Sequence, residues 1–177
     1  MVPTILKDAE VYLDGNRFIS RAKSFSLPSI EYVTETFEAL ATGGNIEIPL
    51  AGVTDNFEGS IQFAGTSADV FEVLDAGQAK LVEVLASQQG LNRETGAQEE
   101  VKHQVTVRAL FTSFEMSDRE RAQSDGPTAT YTATYYKYSI AGETVFEFDK
   151  LAMIAKVRRG GQLVDLLQQT RMNLGIS

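Results

Sequence analysis

Residues 128–140, Thr-Ala-Thr-Tyr-Thr-Ala-Thr-Tyr-Tyr-Lys-Tyr-Ser-Ile, constrain this chain more than any other stretch. Thr and Tyr suit a pleated, half-buried surface, and an unbroken run of them without Gly or Pro reads as one long strand. Ala141-Gly142 supplies a turn, and Glu143-Thr-Val-Phe-Glu-Phe comes back. The segment Tyr131 to Asp149 is therefore expected to be a β-hairpin.

Most of the remaining chain follows the same pattern. Glu10-Val-Tyr-Leu reads as a strand, Asp14-Gly15 as a tight turn and Arg17-Phe18-Ile19 as its return, because Gly accepts the positive φ of a type I′ turn. Pro28 opens a long run to about Ala39. Glu31, Val33, Glu35 and Phe37 lie on one side of it, and Ile30, Tyr32, Thr34 and Thr36 on the other. Neither side is purely apolar, as expected of an interface or a water-filled lumen. Gly43-Gly44-Asn45 reads as a loop, and Ile46–Leu50 and Phe57–Phe63 as short strands. Pro49 gives no ladder donor, which places the first of these at an edge.

A helix is expected next, capped by Thr66 or Ser67, with Asp69 in its first turn, an apolar face of Val70, Phe71 and Leu74, and a stop at Gly77. Val82, Val84 and Ala86 alternate as a strand, and the polar stretch Gln88–Glu100 reads as a loop. Val101–Met116 is a long strand with Val101, His103, Val105, Val107, Ala109 and Phe111 on one face. Ser117–Pro127 is a loop, Met153–Val157 a short strand, and Gly160-Gly161 a break. Leu163, Leu166, Leu167 and Leu174 have helical spacing, so a short amphipathic helix is expected over Gln162–Leu174. No repeat or linker divides the chain. The expectation is one mostly-β (α+β) domain over 1–177, a twisted β-sandwich or barrel with one packed helix and a short C-terminal helix.

Composition narrows the chemistry. The chain has no cysteine, which removes disulfides, thiolate nucleophiles and Cys-ligated zinc. No signal peptide or membrane-length apolar run is read in the sequence. His103 is the only histidine, and no second ligand stands at metal spacing around it. No glycine-flanked nucleophile and no phosphate-cradling glycine frame is present. Neither an enzyme nor a cofactor is expected. Tyr131, Tyr135, Tyr136 and Tyr138 could be a base-stacking platform. The net charge of −8 argues against a phosphate grip, and tyrosine equally suits subunit interfaces. The charge is uneven: residues 1–149 carry 11 basic and 23 acidic side chains, residues 150–177 carry 5 and 1. A solvated basic face would explain this, and so would head-to-tail association of a basic end with a neighbour's acidic body.

The Tyr131–Asp149 segment, with its Tyr-Tyr-Lys, Gly, Glu and acidic end, resembles the major tail tube proteins of contractile-tailed phages, to which R-type pyocin tubes are related. Leu13-Asp-Gly-Asn-Arg-Phe followed by Ser26-Leu-Pro-Ser-Ile is similar to the family's opening hairpin and its Leu-Pro lead into a long strand. Arg171-Met-Asn-Leu-Gly-Ile is similar to its ending. Two places depart. Ala41-Thr-Gly-Gly-Asn-Ile replaces the family's Gly-Gly-Met stretch, and Ser117–Pro127 replaces an Asp-Pro-Gly-like loop.

The resemblance implies hexameric rings stacked into a hollow tube inside a contractile sheath, with an acidic lumen through which DNA passes without sticking. It implies as partners the tail sheath, a baseplate or tube-initiator protein, a tail terminator, a tape measure protein in the lumen and non-specifically passing DNA. Tyr135, Tyr136, Lys137, Glu143, Glu147, Asp149, Arg158 and Arg159 are then the candidates for the inter-subunit wall. A tube of a tailocin or type VI-like system is the alternative, and a monomeric β-domain binding module the second.

Overall fold

A computed structural model describes residues 5–17, 22–39, 44–68, 70–71, 75, 77–92, 94–116 and 126–176. The long strand expected from the Thr/Tyr run is β9, Thr128–Ile140, and it is the spine of the fold. One edge of β9 pairs antiparallel with β8 (Gln98–Glu115) along its whole length. The other edge is shared. Its first half pairs with β6 (Phe57–Phe63), from Gln62↔Thr128 to Phe57↔Ala133. Its second half pairs with β10 (Glu143–Asp149), from Asp149↔Tyr135 to Glu143↔Ile140. The two partners separate at Thr134, whose carbonyl accepts the Lys150 N–H at 2.9 Å.

The remaining strands extend this sheet. They are β1 (Ile5–Leu13), β2 (Asn16–Arg17), β3 (Ala22–Ser26), β7 (Lys80–Leu91), β11 (Ile154–Arg159) and β12 (Gln162–Asp165). The order is β12-β11-β10-β9-β8-β7-β1-β2, with β3 on β6, and the sheet stays open between β12 and β2. Two further strands, β4 (Tyr32–Ala39) and β5 (Gly44–Thr54), form a separate two-stranded ribbon. The mostly-β expectation therefore holds.

Alternation puts one face of the sheet inside. Val11, Leu13, Val82, Val84, Val105, Val107, Ala109, Phe111, Ala129, Tyr131 and Ala133 are buried with Phe57, Ile61, Phe63 and Phe148. The register shifts between Arg108 and Ala109, so Tyr135 turns outward and Tyr136 inward. A bulge of this kind interrupts the period of two. Tyr131 is fully buried; its Oη donates to the Ser26 carbonyl at 3.1 Å and its ring stacks on Phe25. Gly59 lies against that ring: a Cβ there would stand 2.5 Å from Tyr131 Cζ and 2.6 Å from the Ser26 carbonyl.

The Asp14-Gly15 turn is as expected, with φ of 48° and 79°; Phe18 and Ile19 lie outside the described residues. The segment expected as the first helix shows 3-10 geometry at Ala68, Val70 and Phe71, and Asp69, Leu74 and the rest of its middle lie outside the described residues. So do 40–43 and 117–125. Gln88–Glu100 corrects the loop expectation. β7 and β8 continue as a ribbon to Leu91 and Gln98, held by polar cross-strand pairs such as Gln89 Nε2 to Gln98 Oε1 at 2.6 Å. Polar residues on both faces gave no alternation to read.

The C-terminal helix is shorter than expected. Gly160 and Gly161, with φ of 58° and 85°, turn the chain back so that Gln162–Asp165 pairs with β11. The helix, α1, is Gln168–Asn173. Asp165 closes the junction. Its Oδ1 accepts from the Ala155 and Leu167 N–H groups at 3.2 and 3.0 Å, and its Oδ2 from Arg171 Nη2 at 2.7 Å.

Candidate assembly surfaces

The β4–β5 ribbon is the largest departure from a self-sufficient fold. Phe37 lies opposite Ile46 and Glu35 opposite Ile48, so these side chains share one face. Phe37 is 57% exposed and Ile48 49%, and Ile46 and Leu50 are exposed as well. Burying a side chain of this size is worth about 1.5–3 kcal/mol. A contiguous apolar face left in water marks an interaction site, and a lone two-stranded hairpin is marginal in water. Residues 30–56 also hold five acidic side chains and no Lys or Arg. Both features explain why neither side of this run reads as purely apolar in sequence.

The wall candidates on the β9–β11 hairpins lie mostly on the outer face of the sheet. A transverse row runs Tyr12, Glu83, Thr106, Lys137, Glu147, Lys156, Asp165 from β1 to β12. Lys156 Nζ meets Glu147 Oε2 at 3.0 Å, and Tyr135 Oη donates to Glu147 Oε1 at 3.0 Å. Burial opposes ionisation of Glu147, but the bonds from Lys156 and Tyr135 outweigh it and hold its pKa below the ordinary value. Burial, together with the Glu147 bond, pushes the Tyr135 phenol up to about 12. The Arg108 guanidinium lies 5.6 Å from the Tyr135 ring centroid.

Beside Tyr135 and Glu147, four more of the candidates have roles inside the chain. Tyr136 is a core residue, 4% exposed, with its ring edge-on to Phe57 and Phe146, and it does not reach the surface. Asp149 Oδ1 accepts from the Leu151 and Ala152 N–H groups at 3.0 Å, which caps the β10–β11 turn. Arg158 Nη1 bonds Glu143 Oε2 at 2.8 Å, beyond the last β10–β11 ladder pair, Phe146↔Val157. With Lys156 on Glu147 and Arg171 on Asp165, much of the basic C-terminal charge is neutralised within the chain. Arg159 is exposed at the end of β11. Sequence reasoning missed two structural residues, Gly59 and Gly52. A glycine inside a strand-like run is the available signal for a close approach.

His103 is buried, and its Nδ1 lies 2.7 Å from Tyr138 Oη. Desolvation holds its pKa below 6.5. Its Nδ1 is thus paired with a phenol and not with the carboxylate that orients a histidine general base. Among the described residues no group of three or more His, Asp or Glu side chains could hold a metal ion.

Comparison with known proteins agrees with this picture of a structural subunit. A sequence model of the phage tail tube protein FII family matches residues 3–175. The tail tube protein of Escherichia phage P2 is 24% identical over 177 residues, covering 99% of both chains. Two solved structures of an extracellular contractile injection system share the fold at 14% identity. The sheath/tube terminator of the extended state superposes with a TM-score of 0.57 over 78% of this chain and 98% of the other. A chain of the sheath–tube complex superposes with 0.55 over 77% and 91%.

Proposed function

Since the chain belongs to the phage tail tube protein FII family, of structural virion proteins and not enzymes, we propose that its copies close into hexameric rings that stack into the inner tube of a contractile tail. The exposed β4–β5 ribbon carries this reading. It holds an unpartnered apolar face on an arm that leaves the sheet, and a second copy of the chain is the partner that satisfies it in every ring. Residues 1–177 act as one tube domain. The tube is enclosed by the sheath, started at a baseplate, closed by a terminator and filled by a tape measure protein before DNA passes.

The acid excess supports a lumen that conducts DNA, because like charge lowers phosphate affinity. A tailocin or type VI-like tube would differ in cargo and not in wall, and DNA inside purified particles distinguishes the two. A monomeric binding module is set aside by the family membership.

The test is assembly. Purified wild-type protein is expected to form rings or tubes of uniform diameter in negative stain. Phe37→Ser with Ile48→Ser is expected to leave a folded monomer with unchanged far-UV circular dichroism and no tubes. Tubes of normal length from the double variant would overturn the role given to the ribbon.

A further inference from the structure

The β4–β5 ribbon makes no ladder with the main sheet, so its direction must be set at its base. Two supports stand there. The first is Gly52, at φ 80° in β5. It is buried so closely that a Cβ would lie 2.8 Å from Leu167 Cγ and 3.1 Å from the Ala155 Cβ. The second is Lys150 in the β10–β11 turn. Its Nζ donates to the Asp55 carbonyl at 2.7 Å and stands 4.7 Å from the Phe57 ring centroid. Around these supports a groove of about 400 Å³, lined by Leu50, Phe148, Met153 and Thr170, separates β5 from the rest. The ribbon therefore touches the body at few points.

Leu167 belongs to the C-terminal segment, and that segment is itself pinned. Arg171 Nη1 donates to the Met153 carbonyl at 2.7 Å and Nη2 to Asp165 Oδ2 at 2.7 Å. Asp165 Oδ1 accepts the Leu167 N–H, and the Leu166 N–H reaches the Ala155 carbonyl at 2.8 Å. A planar guanidinium bridging a carbonyl and a carboxylate fixes direction as well as distance. We propose that this C-terminal clasp is a positioning device for the assembly arm: Arg171 holds Leu167 against Gly52, and with Lys150 this sets the angle at which the ribbon leaves the body. Arg171 acts through Leu167, because its guanidinium bonds Met153 and Asp165 in the body. The effect on assembly rests on the reading of the ribbon as the assembly arm.

The chain has no cysteine, so spin labels can be placed uniquely. Glu47→Cys lies on the ribbon face opposite Phe37, and Lys102→Cys is exposed on β8. Electron–electron distances are read on the full chain at a concentration where it sediments as a monomer, and tube yield is read separately. The parent is expected to give one narrow distance peak. Arg171→Met and Leu167→Ala are each expected to lose that single peak and to reduce tube yield, with Arg171→Lys, which keeps the charge without the fork, in between.

An unchanged peak in both Arg171→Met and Leu167→Ala overturns the proposal whatever the tubes do. A broadened peak with normal tubes confirms the positioning but sinks the ribbon as assembly arm. Should Arg171→Met fail to fold, Leu167→Ala and Arg171→Lys carry the same test, and an unchanged peak in both again overturns the proposal.

Discussion

Gly59→Ala is the sharpest perturbation of the sheet, because Gly59 sits where β3, β6 and β9 meet. The added methyl would stand 2.5 Å from Tyr131 Cζ and 2.6 Å from the Ser26 carbonyl, one a buried core ring and the other backbone, so neither yields without cost. Overpacking of this kind costs about 1–3 kcal/mol. Moving Tyr131 aside also breaks its bond to Ser26 and strands a buried hydroxyl, a further 1–3 kcal/mol or so. The total of about 2–6 kcal/mol is a large part of the ~5–15 kcal/mol by which domains are stable. In a chain of this length each kcal/mol is worth roughly 2–4 °C in Tm.

The assay is urea unfolding of unassembled protein at two concentrations, since ring formation would stabilise the fold by mass action. Tyr131→Phe alone should cost about 1 kcal/mol, from the lost hydrogen bond. In the double variant the hydroxyl is already gone, so the combined loss should fall short of the sum by about 1 kcal/mol. Rescue is only partial, because Cζ still obstructs the methyl. A Gly59→Ala protein within about 0.5 kcal/mol of the parent, or a strictly additive cycle, would refute the close-packing reasoning.

Two more outcomes follow from the charges. The folded-state pKa of His103 is depressed by burial, so the unfolded chain takes up the proton first as pH falls below 6.5. Stability is thus full above that value and declines toward the lower folded pKa. The groove beside His103 is lined by Lys23 and Tyr138 and by no carboxylate, so nothing there offsets the charge. His103→Gln should flatten the melting temperature across that window, and an unchanged slope would remove His103 as its cause. Arg158→Glu sets two carboxylates together at the Glu143 site, which should weaken assembly more at low salt than at high salt. Adding Glu143→Arg should restore assembly if the in-chain pair matters. Failure to restore it would mean that Arg158 acts on a neighbouring subunit.

The sequence was most informative where local pattern and tertiary need coincide. The Thr/Tyr run predicts β9 to its ends, and Asp14-Gly15 and Ala141-Gly142 mark their turns, because turn chemistry is local. Inward Val105, Val107 and Phe111 were legible from alternation. Tyr136 was not, because a bulge between strands distant in sequence decides which of two adjacent tyrosines faces in. The Gln88–Glu100 ribbon was hidden for the opposite reason, having polar residues on both sides. Leu163 joined Leu166 and Leu167 in a helical pattern, yet two glycines divide that stretch between a strand and a helix. At the candidate assembly surface the mixed faces of residues 31–37 pointed to an interface or a water-filled lumen. Gly52 and Arg171 showed nothing of their connection, since it spans over a hundred residues of chain.

The shared edge of β9 also sets the order in which the molecule can form. β9 reaches β10 across a two-residue turn, a closure of microseconds, but reaches β6 only across some seventy residues. While the ribosome has made only the first half of the chain, β3 and β6 have no strand to complete them. At about 5–20 residues per second, synthesis leaves that edge open for seconds. The same delay means that a nascent chain has no finished sheet from which to project the β4–β5 ribbon.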